Sequence, residues 1–189
     1  MSYLNVWDAE TGQLAGAYRI GLVPEILREH GQAGIYLDHV FHIDPAFFVR
    51  FPRSMELSRS FVLPDYQKDN RVLPLLWQGL AASSTRHEID TLFGSVTISN
   101  AHHPTTRALL VEYLKNNYAD APETIQLVRA REPFVPKTRY HPLVAKAYEG
   151  EGLNALNPLI HEIEGGERSI PPLMRYSCQL GAKYIGYHV

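Results

Sequence analysis

The stretch that most constrains the fold of this chain runs from residue 55 to residue 99. Side chains alternate in character over Met55–Leu63, and this pattern, ended by Pro64, predicts a strand. Apolar residues at helical spacing predict a helix from about Asn70 to Ser83, and a β-branched run predicts a second strand over Thr91–Ser99. A strand, a crossover helix and a strand form a right-handed unit whose two strands are parallel. The sequence therefore predicts an α/β fold built around these two strands.

Two charged side chains lie within the first of these strands. A strand that is covered on both faces normally carries Val, Ile and Leu throughout, so Glu56 and Arg59 are costly there. One explanation is chemical, with Glu56 taking a proton from a substrate. The other is structural, a buried ion pair between Glu56 and Arg59, although the two side chains lie on opposite faces of a regular strand.

The sequence on either side of this unit predicts further strands. A hairpin with Gly12 at its tip joins a strand over Leu4–Asp8 to its partner over Leu14–Leu22. A third strand is predicted over Gly34–Asp44, and a last strand over Tyr184–Val189 completes the sheet.

The segment from about residue 120 to residue 166 differs because proline and glycine interrupt it repeatedly. Its apolar content is thin for a core of its own, so we predict an insertion with one or two helices. The full length of 189 residues suits one well-packed domain, and we predict a single domain over residues 1–189.

Composition argues against several classes of function. The net charge of −2 gives no support to nucleic-acid binding, and no apolar run approaches the roughly 18 residues that span a bilayer. The single cysteine, Cys178, fits a reducing compartment, so cytoplasm is expected, with contact at the periphery of the inner membrane as an addition. His39 and His42 lie on opposite faces of a strand, so we predict no metal site.

Three motifs in the central stretch carry a resemblance to a known family. They read ELSRSFVLPDYQ at residues 56–67, LLWQG at residues 75–79 and LFGSVTIS at residues 92–99. In this order they resemble the hemolysin-like branch of the GNAT acyltransferase superfamily. That branch includes the bacterial N-acyltransferases that make ornithine and glycine lipids, and it is related to the acyl-homoserine-lactone synthases.

The resemblance implies a GNAT-like α/β (α+β) fold. Such a fold has a central, mixed, twisted sheet with splayed parallel strands, flanked by helices. Gly94 is the expected point of bend in the second parallel strand. The usual N-terminal strand and helices, which would precede Tyr3, are missing, so the chain resembles a truncated or divergent copy. A second protomer, in a homodimer, could supply the missing elements.

The resemblance also implies how an acyl donor is bound, through backbone groups at the gap between the two parallel strands. This donor edge would be formed by Ser60, Phe61, Val62 and Leu63, with one N–H holding the thioester oxygen. Coenzyme A users follow this strand with a glycine-rich turn. Here the turn lacks glycine and contains Asp69, although Gln67, Lys68 and Arg71 could still hold one phosphate. The phosphopantetheine of an acyl carrier protein is therefore the expected donor, with acyl-coenzyme A as the alternative.

The expected reaction is transfer of a fatty acyl chain to the α-amine of a small amino acid. Glu56 would accept the amine proton, and Arg59 with Arg19 would orient a carboxylate or phosphate of the acceptor or carrier. Ser99, at the end of the second strand, is assigned with Arg19 to the substrate site. Since glutamine keeps the shape of Glu56, we expect Glu56→Gln to reduce turnover with little change in stability.

Two alternatives are left by the sequence. One is an acyl-homoserine-lactone-type synthase, although no adenosylmethionine site is identified. The other is an inactive GNAT-like module of a larger protein that binds acyl carrier protein or membrane.

Overall fold

The predicted strand, helix and strand are present in the computed structural model, which describes residues 2–137 and 141–189. The chain divides into two compact units, one ending at Ser95 and the other beginning at Val96. The strand–helix–strand unit lies in the first.

The first unit is built on a four-stranded mixed sheet. Its elements are β1 (Ser2–Trp7), β2 (Leu14–Leu22), α1 (Val23–His30), β3 (Phe41–Ile43), α2 (Pro45–Arg50), β4 (Ser54–Val62), α3 (Val72–Arg86) and β5 (Thr91–Gly94). The order across the sheet is β1-β2-β4-β5, antiparallel except for the parallel β4–β5 pair, and α1 and α3 pack against it. The predicted fold class is confirmed.

The two parallel strands are paired only at their beginnings. β5 pairs with β4 over Thr91–Gly94, and the pairing then stops while β4 continues to Val62. A Cβ atom added to Gly94 would lie 2.5 Å from the carbonyl oxygen of Leu57, so glycine permits the last close approach. The second strand is therefore shorter than the predicted Thr91–Ser99.

β4 contains a β-bulge just beyond this point. Arg19 on β2 pairs with Ser58, but Ala17 pairs with Phe61, so β4 has one more residue than β2 over this interval. Arg59 lies in the bulge with φ at +50°, in the left-handed region that non-glycine residues rarely adopt. A bulge bends its strand and re-aims a side chain, so β4 changes direction where its parallel partner ends.

The segment predicted as a third strand is mostly helical turn instead. Residues Gln32–Gly34 and Tyr36–His39 form 3-10 turns, and only Phe41–Ile43 is a strand, outside the four-stranded sheet. The prediction of a strand over Gly34–Asp44 was wrong because tertiary hydrogen bonds, described below, satisfy the backbone of this segment.

The second unit has a hydrophobic core of its own. Its elements are α4 (Pro104–Asn117), α5 (Pro122–Ile125), β6 (Val128–Ala130), α6 (His141–Ala147), α7 (Asn157–Ile163) and α8 (Pro172–Gln179). The core contains Leu109, Leu110, Tyr113, Leu114, Ala145, Leu153, Leu156, Ile160, Ile170, Met174 and Cys178. Residues 145–160 thus contribute more to a core than we expected from their composition. Val96 and Ile98, which we assigned to the second parallel strand, pack against this core.

The C-terminal residues do not complete the sheet, so that prediction was wrong. Tyr184 and His188 instead form isolated bridges with Ala119 and Pro133, within the second unit.

Replacing Gly94 by alanine tests the close approach of the parallel strands. We expect the free energy of unfolding to fall by about 1–3 kcal/mol, because the new methyl group overlaps the backbone of β4. Gly152 is the matched control, since an added Cβ there meets nothing within 4 Å. Chemical denaturation of both alanine variants measures the difference, and equal stability of the two would contradict the predicted overlap.

Candidate functional site

Glu56 is a buried carboxylate held by two backbone groups. Glu56 is the third residue of β4, and it is only 2% exposed. Oε2 accepts a hydrogen bond from the N–H of Tyr36 at 3.0 Å, and Oε1 accepts one from the N–H of Leu37 at 2.8 Å. Hydrogen bonds to an ionised acceptor are among the strong ones, and they offset part of the cost of burial. The carboxylate therefore fixes the 3-10 turn Tyr36–His39 onto β4.

Arg19 and Ser58 are paired across β2 and β4, close to Glu56. Arg19 Nε donates a hydrogen bond to Ser58 Oγ at 2.8 Å. Arg19 Nη2 is also buried, but it has no hydrogen-bond partner in the described part of the chain. A buried donor without a partner is costly, so this nitrogen is a candidate contact for a bound anion.

Both arginines contact the ring of Tyr36. The guanidinium carbon of Arg19 lies 4.9 Å from the ring centroid, and that of Arg59 lies 5.9 Å from it. The strained backbone of Arg59 at the bulge contributes to this position, and such strain is common at functional sites. The structure thus gathers Glu56, Arg59 and Arg19 at one place, although the Glu56–Arg59 ion pair that the sequence left open is replaced by bonds to the backbone.

The end of β4 presents an open backbone edge. The N–H of Leu63 donates to the carbonyl oxygen of Ala15 at 2.9 Å, on the β2 side. Successive residues of a strand direct their N–H and C=O groups to opposite edges, so Val62 directs its groups toward the β5 side. Gln67 Nε2 donates to the Val62 carbonyl oxygen at 3.2 Å. The Val62 N–H consequently lies on an edge that β5 no longer covers.

Apolar side chains flank this open edge. Phe61 is 43% exposed and Leu63 is 38% exposed, so two large apolar side chains are accessible at this edge. The neighbouring Ser60 is also exposed. An extended ligand with apolar groups could contact this surface. The donor role predicted for residues 60–63 stays a prediction.

Comparison with known proteins identifies the family to which this geometry belongs. The family model described as an acetyltransferase (GNAT) domain matches residues 1–78. Residues 1–78 therefore form a GNAT-type domain. The matched residues include β1, β2, β4 and the polar cluster around Tyr36, and the resemblance drawn from the sequence motifs is confirmed.

Curated relatives indicate which branch of the GNAT superfamily this chain resembles. The chain is 30% identical over 183 residues to a glycine N(alpha)-acyltransferase of Bacteroides thetaiotaomicron, covering 90% of this chain and 52% of the relative. It is 32% identical over 177 residues to an L-ornithine N(alpha)-acyltransferase of Rhizobium meliloti, covering 93% and 52%. The chain spans about half the length of these curated relatives. Both of these relatives are amino-acid N-acyltransferases, and no solved structure matches the chain.

The turn after β4 of this GNAT chain is occupied by an ion pair of its own. Arg71 Nη2 lies 2.7 Å from Asp69 Oδ2, and Arg71 Nε lies 2.9 Å from Asp69 Oδ1. The hydrogen bonds from Arg71 lower the pKa of the Asp69 carboxyl to about 2. Tyr66 also donates to Asp8 at 2.9 Å, which brings a second carboxylate to the turn. A phosphate at Arg71 would lie close to the negative charge of Asp69, and the predicted phosphate contacts of Lys68 and Arg71 stay predictions.

Ser99, the last of the predicted site residues, lies in the second unit, and the described residues contain no metal-binding cluster. Ser99 belongs to the second unit, where its hydroxyl accepts the Ala101 N–H at 3.2 Å, and its substrate role stays a prediction. Among the described residues, no group of three or more His, Cys, Asp or Glu side chains is arranged to hold a metal ion. Within the same residues, none of the helices has the length and apolar character to cross a bilayer.

Sequence reasoning missed Tyr36 and Ser58. Tyr36 was assigned to a strand, and Ser58 was treated as an ordinary strand residue. The signal that could have found them is Glu56 itself, because a carboxylate in a central strand needs donors from outside that strand.

A second buried carboxylate, Glu164, ties two helices of the second unit together. The backbone N–H of His103, at the start of α4, donates to Glu164 Oε1 at 2.8 Å, and His102 Nδ1 lies 3.3 Å from the same oxygen. Burial raises the pKa of this carboxyl, but the hydrogen bonds that it accepts bring it below its usual value of 4.5. Negative charge at a helix N-terminus is also favourable. This arrangement is structural, since it links the end of α7 to the start of α4.

Acid should therefore weaken the second unit through Glu164. Since the folded pKa is lower than the unfolded one, the stabilisation is complete above the unfolded pKa and is lost as pH falls through the folded pKa. We expect Glu164→Gln to cost about 1–3 kcal/mol at pH 7 and to flatten the loss of stability below about pH 4.5. Denaturant unfolding from pH 7 to pH 3 measures both effects. Exposed Glu162 is the control, and an unchanged profile for Glu164→Gln would contradict this tie.

Proposed function

We propose that this GNAT chain transfers an acyl group from a thioester to the α-amine of a small amino acid. The observation that carries the proposal is the cluster of Glu56, Arg19 and Arg59 beside the open edge of β4. Glycine and L-ornithine N(alpha)-acyltransferases among its relatives support an amino acid as acceptor.

The cluster supplies the groups that amide formation requires. The acceptor amine first loses one proton and then attacks the thioester carbonyl, so that a C–N bond forms. The C–S bond then breaks, and a second proton from the nitrogen passes to the leaving sulfur, which departs as a thiol. The N–H of Val62 on the open edge stabilises the negative charge that develops on the carbonyl oxygen. Glu56 accepts the amine proton, directly or through water. Each of its oxygens accepts one backbone N–H and retains a lone pair for this step.

The donor that fits this chain is an acyl group on the phosphopantetheine of an acyl carrier protein. The turn that would meet the diphosphate of coenzyme A lacks glycine, and Asp69 already pairs with Arg71 there. A carrier-bound arm needs the apolar donor edge, but it brings no nucleotide to the turn. Acyl-coenzyme A is the alternative donor.

Lipid analysis tests the proposed activity. Cells that express the chain should accumulate N-acylated amino acids that are missing from control cells, detected by mass spectrometry of lipid extracts. If no new N-acyl amino acid forms although the chain binds acyl carrier protein, the alternative of a carrier-binding module is favoured.

Replacing Glu56 by glutamine tests both the proposed role of Glu56 as a base and its role as an anchor for the turn Tyr36–His39. We expect turnover per folded molecule to fall by about 10²- to 10⁴-fold, because an amide cannot accept the amine proton. We also expect the free energy of unfolding to fall by about 2–3 kcal/mol, because the new amide nitrogen faces a backbone N–H. This loss is larger than the small change in stability that the sequence alone led us to expect for Glu56→Gln.

Initial rates and denaturant unfolding on the same preparation measure both quantities. Glu25→Gln, on the exposed face of α1, is the control. It should leave turnover unchanged and lower the free energy of unfolding by less than about 1 kcal/mol. Full activity of Glu56→Gln would exclude the base, and unchanged stability would exclude the anchor.

The donor preference gives another prediction. We expect the carrier-bound acyl group to be used with a kcat/KM at least about tenfold above that of the same acyl group on coenzyme A, equivalent to about 1.4 kcal/mol. Asp69→Asn should improve use of acyl-coenzyme A, because it frees Arg71 and removes a charge that repels phosphate. Asp65→Asn, an exposed change in the same turn, serves as control. Equal use of both donors by the unaltered chain would contradict the donor assignment.

A further inference from the structure

We infer that Tyr36 is a positioning residue that holds Arg19 and Arg59 as a clamp for the α-carboxylate of the acceptor. The inference rests on the proposed function and goes further, because it names the group that is recognised and the residue that organises its recognition.

Tyr36 connects the three charged groups of the site through two different parts of the residue. Its backbone N–H donates to Glu56 Oε2 at 3.0 Å. Its ring lies 4.9 Å from the guanidinium carbon of Arg19 and 5.9 Å from that of Arg59. Any shift of Tyr36 would therefore change the position of the proposed base and of both cations together.

The arginines on this ring have unused capacity for an anion. Two like charges near one ring repel each other, and attraction to the ring face offsets only part of this. Arg19 already uses Nε for Ser58, while its buried Nη2 has no hydrogen-bond partner among the described residues. A carboxylate between the two guanidinium groups would satisfy that donor and reduce the repulsion.

The chemistry of the two substrates identifies this anion. The pantetheine arm and the thioester are neutral near the reacting carbon, whereas a free amino acid carries its carboxylate one carbon away from the attacking amine. A clamp at Arg19 and Arg59 would hold the amine near Glu56, because the turn bearing Tyr36 is bound to Glu56. The same site would discriminate against amines that lack a carboxylate, since the Arg19 donor would then stay unsatisfied.

The test uses equilibrium binding, so that it does not depend on turnover. Glycine and glycinamide are titrated into the chain and into its Tyr36→Phe and Tyr36→Leu variants, followed by NMR chemical shifts. Both variants keep the backbone N–H that donates to Glu56, but only phenylalanine keeps an aromatic ring. Arg19→Lys, which keeps the charge and loses the planar guanidinium, is a second probe if Tyr36→Leu does not fold.

We expect Tyr36→Leu and Arg19→Lys each to weaken glycine binding about tenfold, and Tyr36→Phe to stay within about twofold of the unaltered chain. Glycinamide should bind weakly to all of them. In the folded enzyme, Tyr36→Leu should raise the KM for glycine and leave the KM for the acyl donor unchanged. If the variants show this pattern of glycine binding but the chain has no turnover, the clamp is supported and the proposed function is not. Glycine binding that is undetectable, equals that of glycinamide, or is unaffected by Tyr36→Leu would overturn the inference, as would an equal loss in Tyr36→Phe.

Discussion

The hydrogen bonds from the N–H groups of Tyr36 and Leu37 to the buried carboxylate of Glu56 organise the rest of the site. Burying a carboxylate in a central strand is costly, and the cost is offset only where donors come from outside the strand. Here the donors belong to a 3-10 turn that carries an aromatic ring. Anchoring the turn places that ring against Arg19 and Arg59, so one interaction positions the carboxylate and both guanidinium groups.

The open edge next to this cluster arises from two local features of the sheet. Gly94 allows the parallel strands to meet closely at their last pair, and the bulge at Arg59 bends β4 just after it. The bend leaves backbone groups near Val62 uncovered by β5 and directs Arg59 toward the ring of Tyr36. The open backbone edge and the position of Arg59 are thus consequences of the same irregularity in one strand.

Sequence could predict the central strands and their parallel pairing, because local periodicity carries that information. It could also predict that Glu56, Arg59 and Arg19 lie near one another, because the family motifs indicate it. The turn Tyr36–His39 could not, because its conformation depends on hydrogen bonds to a residue distant in sequence. The strand predicted after Gly94 was too long for a similar reason. Val96 and Ile98 are apolar because they pack against a core, and not because they belong to a strand. The bulge and the Asp69–Arg71 pair are likewise visible only in three dimensions.

Amide hydrogen exchange tests the central claim that Glu56 anchors the turn which organises the site. The amides of Tyr36 and Leu37 lie outside the four-stranded sheet, so ordinary turn residues in their place would exchange rapidly. The account predicts that both amides are strongly protected in the unaltered chain. It also predicts that at least one of them loses its protection in Glu56→Gln, while amides in β2 stay protected. Rapid exchange of both amides in the unaltered chain would contradict the account.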